Sequence, residues 1–347
     1  MNYLVIPAYE PDYNLIKLIE KIHNKSDFYI IVIDDGSSAE CQDIFAQAED
    51  FATVLRHQVN QGKGQALKTA FEYIQSLNKP GTVVTADADG QHRIWDIFRS
   101  LTKSNENPNT LVLGVRAFTG KVLLRSRFGN SLTRILFKLQ TGVAVSDTQT
   151  GLRAFSTDMI PFMLKIEGQR YEYEMNMLLE LSQAYPILEV PIETVYINDN
   201  EASHFRPIRD GLMIYKNILK FALSSFSSFI VDYVVYALSI LCLSFIPTGL
   251  RVLLSNGLAR VTSSIFNFST NKKLVFKNKA SSFKTGSGYF GLAVGLFILD
   301  TILIRLFNSG LGVNLLIAKI LVGIMLFILS WTVQTRFIFK ERTCSPL

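Results

Sequence analysis

The 347-residue chain predicts an α/β domain on a mostly parallel sheet, followed by an interfacial helix and an all-α domain of four transmembrane helices. Three observations carry that prediction. From Tyr3 to about Leu113, short β-branched runs alternate with helix-spaced apolar stretches, the pattern of a parallel sheet covered by helices. Beyond residue 225, four apolar segments each approach the roughly 20 residues needed to cross a bilayer. Charge divides at the same place: residues 1–226 carry 23 Lys/Arg against 26 Asp/Glu, and 227–347 carry 12 against 3. Because the basic residues cluster at the ends of apolar segments, they point to a membrane and away from nucleic acid.

In order, strands are expected at 3–7, 28–34, 52–57, 82–86 and 110–114, with helices at 14–23, 39–47, 64–77 and 95–103 between them. A Pro-punctuated run, Ile187–Val195, reads as an edge strand. Cys41, Cys242 and Cys344 have no close spacing, so neither a disulfide framework nor a zinc site is expected. Residues 1–7 lack the basic lead of a signal peptide and read directly as a strand, so the first domain is expected in the cytoplasm.

Ligands of open α/β sheets bind at the carboxyl ends of strands, and these ends are polar here. The first is Pro7-Ala8-Tyr9-Glu10-Pro11, the second Asp34-Asp35-Gly36-Ser37-Ser38, the third Asn60-Gln61-Gly62-Lys63-Gly64 and the fourth Asp87-Ala88-Asp89-Gly90-Gln91-His92. Each has a plain structural alternative. Asp-x-Asp can be a solvated turn, and Ser38 can be a helix cap. Read together, they suggest a base and ribose at Tyr9, Asp34 and Asp35. Asp89 would then meet a hard divalent cation, Mg²⁺ or Mn²⁺, and Lys63 would offset diphosphate charge. Gly62-Lys63-Gly64 lacks the spacing of a nucleotide-triphosphate loop.

These motifs, with Asp147-Thr148-Gln149-Thr150-Gly151-Leu152-Arg153-Ala154-Phe155, resemble family-2 glycosyltransferases over about residues 1–215. The likeness is to polyprenyl-phosphate sugar transferases similar to dolichyl-phosphate mannose synthase. It implies a GT-A fold, a nucleotide-sugar donor and inverting transfer. Matched by position, Pro7, Tyr9, Glu10 and Asp34 would contact the nucleoside, and Asp87, Asp89 and Gln91 would surround the diphosphate and metal. Arg116, Arg127 and Ser131 would cradle the acceptor phosphate. An Arg and a Ser four apart on a helix share a face and can both donate to one anion. Arg125 and Arg134 read as a solvated helix face. Arg206, and less firmly Arg209, would close over the phosphates. Glu172 and Glu174 fit either an acid facing the acceptor or a helix start favoured by the dipole. A phosphate acceptor is already anionic, so no general base is named.

Three domains are expected: 1–205 as the cytoplasmic transferase, 206–225 as a juxtamembrane amphipathic helix and 226–342 as the membrane domain. Its spans are expected at 226–246, 251–271, 288–307 and 313–335. Lys272, Lys273, Lys277, Lys279 and Lys284 crowd one loop, and Arg336, Lys340 and Arg342 follow the last span. Both the transferase domain and the C-terminus are therefore expected on the cytoplasmic face of the cell membrane.

The two helix pairs also echo each other. Phe229-Ile230-Val231-Asp232 matches Phe297-Ile298-Leu299-Asp300, Leu258–Val261 matches Ile317–Ile320, and Lys273–Lys277 matches Arg336–Lys340. Each half brings one acid and one base into apolar surroundings, Asp232 with Arg260 and Asp300 with Lys319, either as structural ion pairs or as lipid-phosphate sites. This part, with Asn267–Lys272, resembles the GtrA-like four-helix membrane family, which implies moving, or helping to move, polyprenyl-phosphate sugars for surface-glycan modification.

The function expected is transfer of a hexose, from UDP-glucose or a UDP-N-acetylhexosamine, to undecaprenyl phosphate in the membrane. A homo-oligomer is compatible with it. The rivals are a processive polysaccharide synthase, disfavoured by the absence of Gln-x-x-Arg-Trp, and a lipid-linked-sugar transporter with a non-catalytic soluble domain, disfavoured by the intact Asp87/Asp89 motif.

Overall fold

The computed structural model describes residues 1–116, 133–135, 137–193, 216–245, 247–276, 282–313 and 315–339, apart from some side chains in the C-terminal helices. It divides into two compact units, Met1–Ile214 (with Ser345–Leu347) and Tyr215–Cys344.

The first unit is built on β1 (Asn2–Ala8), β2 (Phe28–Asp34), β3 (Thr53–Arg56), β4 (Thr82–Thr85), β5 (Leu111–Arg116), β6 (Arg153–Ser156) and β7 (Ile187–Ile192). They form one seven-stranded sheet in the order β3-β2-β1-β4-β6-β5-β7. Every pair is parallel except those of β6, which runs antiparallel to both β4 and β5. The predicted mixed, mostly parallel sheet is borne out. β7 is an edge strand, where Pro191 costs no ladder bond on the open side.

Alternation along the strands makes two cores. Tyr3, Val5, Ile31 and Ile33 pack one face against α3 (Lys63–Ser76), while Leu4, Ile6, Ile30 and Val32 pack the other against α1 (Asn14–His23) and α2 (Gln42–Ala48). Helix α4 (Ile94–Glu106) joins the second face. On the first lie a short α5 (Ile160–Met163) and α6 (Tyr171–Ala184). The result is a three-layer α/β/α sandwich. Strand order reverses around β1, whose neighbours are β2 and β4, so a crevice opens beyond the carboxyl ends of β1 and β4.

Among the described residues, the second unit contains four long helices: α7 (Lys216–Cys242), α8 (Thr248–Thr270), α9 (Ser282–Arg305) and α10 (Leu315–Val333). Among the described residues, Leu219–Ser239 and Leu321–Ile338 are long and apolar enough to cross a membrane. Four spans were expected, and polar side chains explain why α8 does not reach that hydropathy: it carries Ser255, Arg260, Ser263, Ser264 and Asn267. The surface helix expected before residue 226 is not a separate element where it is described. With neither Gly nor Pro between Lys216 and Cys242, nothing interrupts α7. Residues 206–215 lie outside the described set.

Candidate active site

Four loops converge at the carboxyl ends of β1, β2, β3 and β4. The most charged part is built around Asp87, two residues beyond β4. Lys63 at the start of α3 places Nζ 2.6 Å from Asp87 Oδ1 and 3.0 Å from Glu174 Oε2 on α6. His92 Nε2 lies 3.2 Å from Asp87 Oδ2. Burial alone would push Asp87 up, but Lys63 and then His92 outweigh it and hold the carboxyl well below the usual range. Burial would likewise depress Lys63, yet Asp87 and Glu174 hold the ammonium well above its ordinary value. Asp87 is therefore ionised and Lys63 charged at any working pH.

Asp89 behaves differently. Burial and then the Asp87 charge raise its pKa, although the Gln91 amide donates to Asp89 Oδ1 at 3.0 Å. Lys63 and His92 favour the ionised form of Asp89 less than burial and Asp87 oppose it, and among the described residues no cation pairs directly with it. Among the described residues no cluster of three or more His, Cys, Asp or Glu side chains forms a protein-only metal cage. Two oxygen-donor carboxylates fit a hard divalent cation that takes the rest of its shell from a bound ligand.

Gly151 explains how Asp87 is kept in place. A Cβ there would come within 2.4 Å of Asp87 Oδ2, so only glycine lets the 147–152 loop close against the carboxylate. Thr85 Oγ1 holds that loop by donating to the Gly151 carbonyl at 2.8 Å. Arg153, the first residue of β6, is buried, with Nε donating to the Thr150 carbonyl at 3.1 Å and an Nη to the Glu174 carbonyl at 2.7 Å. Burial lowers its pKa, opposed by the nearby Glu174, Asp147 and Asp87 charges.

The remaining expected residues divide between cleft and scaffold. Tyr9 is 38% exposed at the end of β1, following Pro7 in that strand. Glu10, with φ of 48°, accepts from the Ser38 amide and hydroxyl, each at 2.8 Å, and so ties the first loop to the second. Asp34 is 2% exposed and accepts from the Ser37 amide at 2.9 Å, closing the turn after β2. Asp35 was expected to face the donor, but its carboxylate is spent on the scaffold. It takes the Gln61 and Gly62 amides at 2.9 and 2.8 Å and pairs with His57 Nδ1 at 2.7 Å. His57 in turn contacts Thr69 Oγ1 on α3 at 2.9 Å. Asp35 and His57 thus fix the loop that delivers Lys63, and sequence reading assigned His57, Thr69 and His92 no role. The motif around His92 was visible; the partner that gives it meaning was not.

Arg116 ends β5 and forms a fork with Asp147, Nε to Oδ2 at 2.6 Å and an Nη to Oδ1 at 3.0 Å, while Asp147 is fully buried. Any anion bound by Arg116 would share it with that carboxylate. Arg134, read as a surface residue, donates through Nε to the Val145 carbonyl at 3.1 Å. Arg125, Arg127, Ser131, Arg206 and Arg209 lie outside the described residues. In the second unit, Arg260 Nε lies 3.9 Å from Asp232 Oδ1, so that expected pair meets. The side chains of Asp300 and Lys319 are outside the described set.

The doubly wound sheet, with its mixed strand and its braced carboxylates at the switch point, defines a GT-A-like α/β domain, followed by a helical unit. Comparison with known proteins agrees. Residues 3–160 match the glycosyl transferase family 2 model, and residues 220–339 match the GtrA/DPMS transmembrane domain. The chain therefore carries a glycosyl transferase family 2 domain fused to a GtrA/DPMS transmembrane domain, and is membrane-associated through the latter. Three relatives illustrate what the chain is similar to. A UDP-N-acetylglucosamine–dolichyl-phosphate N-acetylglucosaminyltransferase of Methanococcus voltae is 28% identical over 56% of this chain and 85% of its own length. An undecaprenyl-phosphate 4-deoxy-4-formamido-L-arabinose transferase of Pseudomonas savastanoi is 27% identical over 46% of this chain and 49% of its own. The cell wall teichoic acid glycosylation protein GtcA of Listeria innocua is 34% identical over 26% of this chain and 64% of its own.

Proposed function

We propose that the protein transfers a hexose, with inversion, from a UDP-sugar to undecaprenyl phosphate at the cytoplasmic face of the cell membrane. UDP-glucose and a UDP-N-acetylhexosamine are the favoured donors. The carrying observation is the Lys63–Asp87–Glu174 cluster beside Asp89 at the strand-order reversal, in a chain that also carries a membrane unit. Support for the acceptor comes from the names of two relatives, one acting on dolichyl phosphate and one on undecaprenyl phosphate.

Pro7 and Tyr9 border the nucleoside pocket, with Glu10 and Asp34 shaping its loops. Asp87, Asp89 and Gln91 would hold Mg²⁺ or Mn²⁺ together with the donor diphosphate. The cation supplies Lewis-acid stabilisation of that diphosphate. Lys63 neutralises part of the same charge. Arg116, Arg127, Ser131 and Arg206 receive the lipid phosphate. One phosphate oxygen attacks the anomeric carbon while the bond from that carbon to the diphosphate breaks, and the nucleoside diphosphate leaves. The nucleophile arrives as an anion, so no side chain has to take a proton from it. Catalysis is then alignment plus charge stabilisation. The membrane domain keeps acceptor and product near the bilayer and takes part in handling the lipid-linked sugar for surface-glycan modification.

The reading is tested by incubating the purified chain with labelled UDP-glucose, UDP-N-acetylglucosamine and UDP-N-acetylgalactosamine plus undecaprenyl phosphate, with and without Mn²⁺. A Mn²⁺-dependent labelled lipid, cleaved by mild acid, is expected. A polymeric product, or no transfer from any donor, would overturn it.

A further inference from the structure

The second unit repeats one polar device. Asn271 Nδ2 donates to Asn267 Oδ1 four residues back, and Gln334 Nε2 donates to Ser330 Oγ four residues back, each at 2.8 Å. Both follow into π-helical turns, Asn271–Val275 and Gln334–Ile338, which occupy equivalent places in the two halves of the sequence echo. The two devices meet where Asn271 Nδ2 donates to Gln334 Oε1 at 3.0 Å. Beyond this junction the wall continues into the first half: Asn267 Nδ2 donates to Ser228 Oγ at 2.9 Å, and the Tyr289 hydroxyl donates to Asn267 Oδ1 at 2.8 Å.

Ser228, Asn267, Tyr289, Ser330 and Gln334 line a cavity of about 300 Å³, with Phe221 also on its wall. That volume lies at the low end for small-ligand pockets, room for one sugar ring rather than an oligosaccharide. The wall keeps both kinds of hydrogen-bonding capacity. Among the described residues, Ser228 and Ser330 accept, which leaves their O–H groups to donate, and Gln334 and Asn267 each keep a second amide proton. Tyr289 already donates, leaving its phenolic oxygen to accept. Hydroxyl groups that both give and take bonds suit such a wall. Charge is balanced: Asp232 faces Arg260 at 3.9 Å and accepts from Ser263 at 2.9 Å, so a phosphate drawn to Arg260 would also meet a carboxylate.

We infer that this cavity binds an uncharged glycosyl group of single-hexose size. All of the cavity's lining residues belong to the second unit. Only the glycosyl group's source, a lipid-linked sugar as opposed to a free one, rests on the proposed function.

Trp331 supplies the reporter, because it packs on Phe221 at 5.1 Å between ring centroids. The chain's other tryptophan, exposed Trp95, is replaced by Phe. With Asp89→Asn preventing turnover, the full chain in nanodiscs is titrated with farnesyl phosphoryl glucose, farnesyl phosphate and free glucose. The first is expected to change Trp331 emission saturably. Farnesyl phosphate should bind at least tenfold more weakly by this signal. Saturation by free glucose alone would keep the cavity and remove the lipid-linked source. Tyr289→Phe, which removes one oxygen, should weaken the farnesyl phosphoryl glucose response about three- to tenfold. Ala293→Phe, which fills the cavity lined by Ala293, should abolish it. Equal responses to the two lipids, or responses unmoved by both substitutions, would overturn the site. Loss of sugar transfer in the native chain would instead count against the proposed function, and the two failures are read in separate assays.

Discussion

Replacing Lys63 by Met should reveal what its ammonium does before any substrate arrives. Lys63 is 19% exposed and holds Asp87 and Glu174, 31% and 14% exposed, at 2.6 and 3.0 Å. Removing it leaves two carboxylates facing a methyl-terminated chain, with His92 the remaining partner of Asp87 among the described residues. Breaking a fully buried pair by deleting one partner costs about 3–5 kcal/mol, and the partial exposure here reduces this to about 2–3 kcal/mol. For a unit of this size that is a fall in Tm of about 4–12 °C. The assay is thermal unfolding followed by Trp95, which lies on α4 of the first unit, in a Trp331→Phe background. In millimolar Mn²⁺ the loss should shrink to under ~1 kcal/mol, since a cation bound by Asp87 and Asp89 replaces the missing charge and stabilises only the folded state. Equal destabilisation with and without Mn²⁺ would refute the coupling between Lys63 and a cation site; no destabilisation would refute the electrostatic reading altogether.

Gly151→Ala should reduce transfer at least about 100-fold while leaving the unfolding transition cooperative, because its Cβ displaces Asp87 from 2.4 Å away. Asp35→Asn should lower stability by about 2–4 kcal/mol and raise KM for the donor, because it weakens the charged contacts to the Gln61 and Gly62 amides and His57. Asp89 has a pKa raised by burial and by Asp87, so its ionisation costs folded-state stability as pH rises through that raised value. Asp89→Asn should therefore stabilise the metal-free chain at neutral pH. In the native chain, stabilisation by Mn²⁺ should fall off on acidification at a higher pH than for an unperturbed aspartate, as measured by Tm against pH.

The elements legible in the sequence were those whose signal is local. Buried strands such as Phe28–Asp34 and amphipathic helices such as Asn14–His23 carry their own periodicity, and the Gly and Asp punctuation after each strand marked the active-site loops. β6 was not legible. Four residues, Arg-Ala-Phe-Ser, show no alternation, and a fully buried arginine opens them; only pairing with β4 and β5 makes them a strand. Long-range partners were also hidden. Nothing near Lys63 announces Glu174, and nothing near Asp35 announces His57. Asp34 and Asp35 look equivalent in sequence, yet one closes its own turn and the other clamps the next loop. In the membrane unit the repeat was visible as an echo of residue types, whereas the meeting of Asn271 with Gln334 required the helices to be packed.

In the proposed mechanism an anionic lipid phosphate attacks the sugar at the Asp87–Asp89 site without a general base. The most direct measurement compares undecaprenyl phosphate with undecaprenol as acceptor, using the donor the native chain accepts and Asp89→Ala in parallel. Labelled lipid is expected only from the phosphate and only with Asp89 present. Comparable transfer to the neutral alcohol, or full transfer by Asp89→Ala, would contradict it.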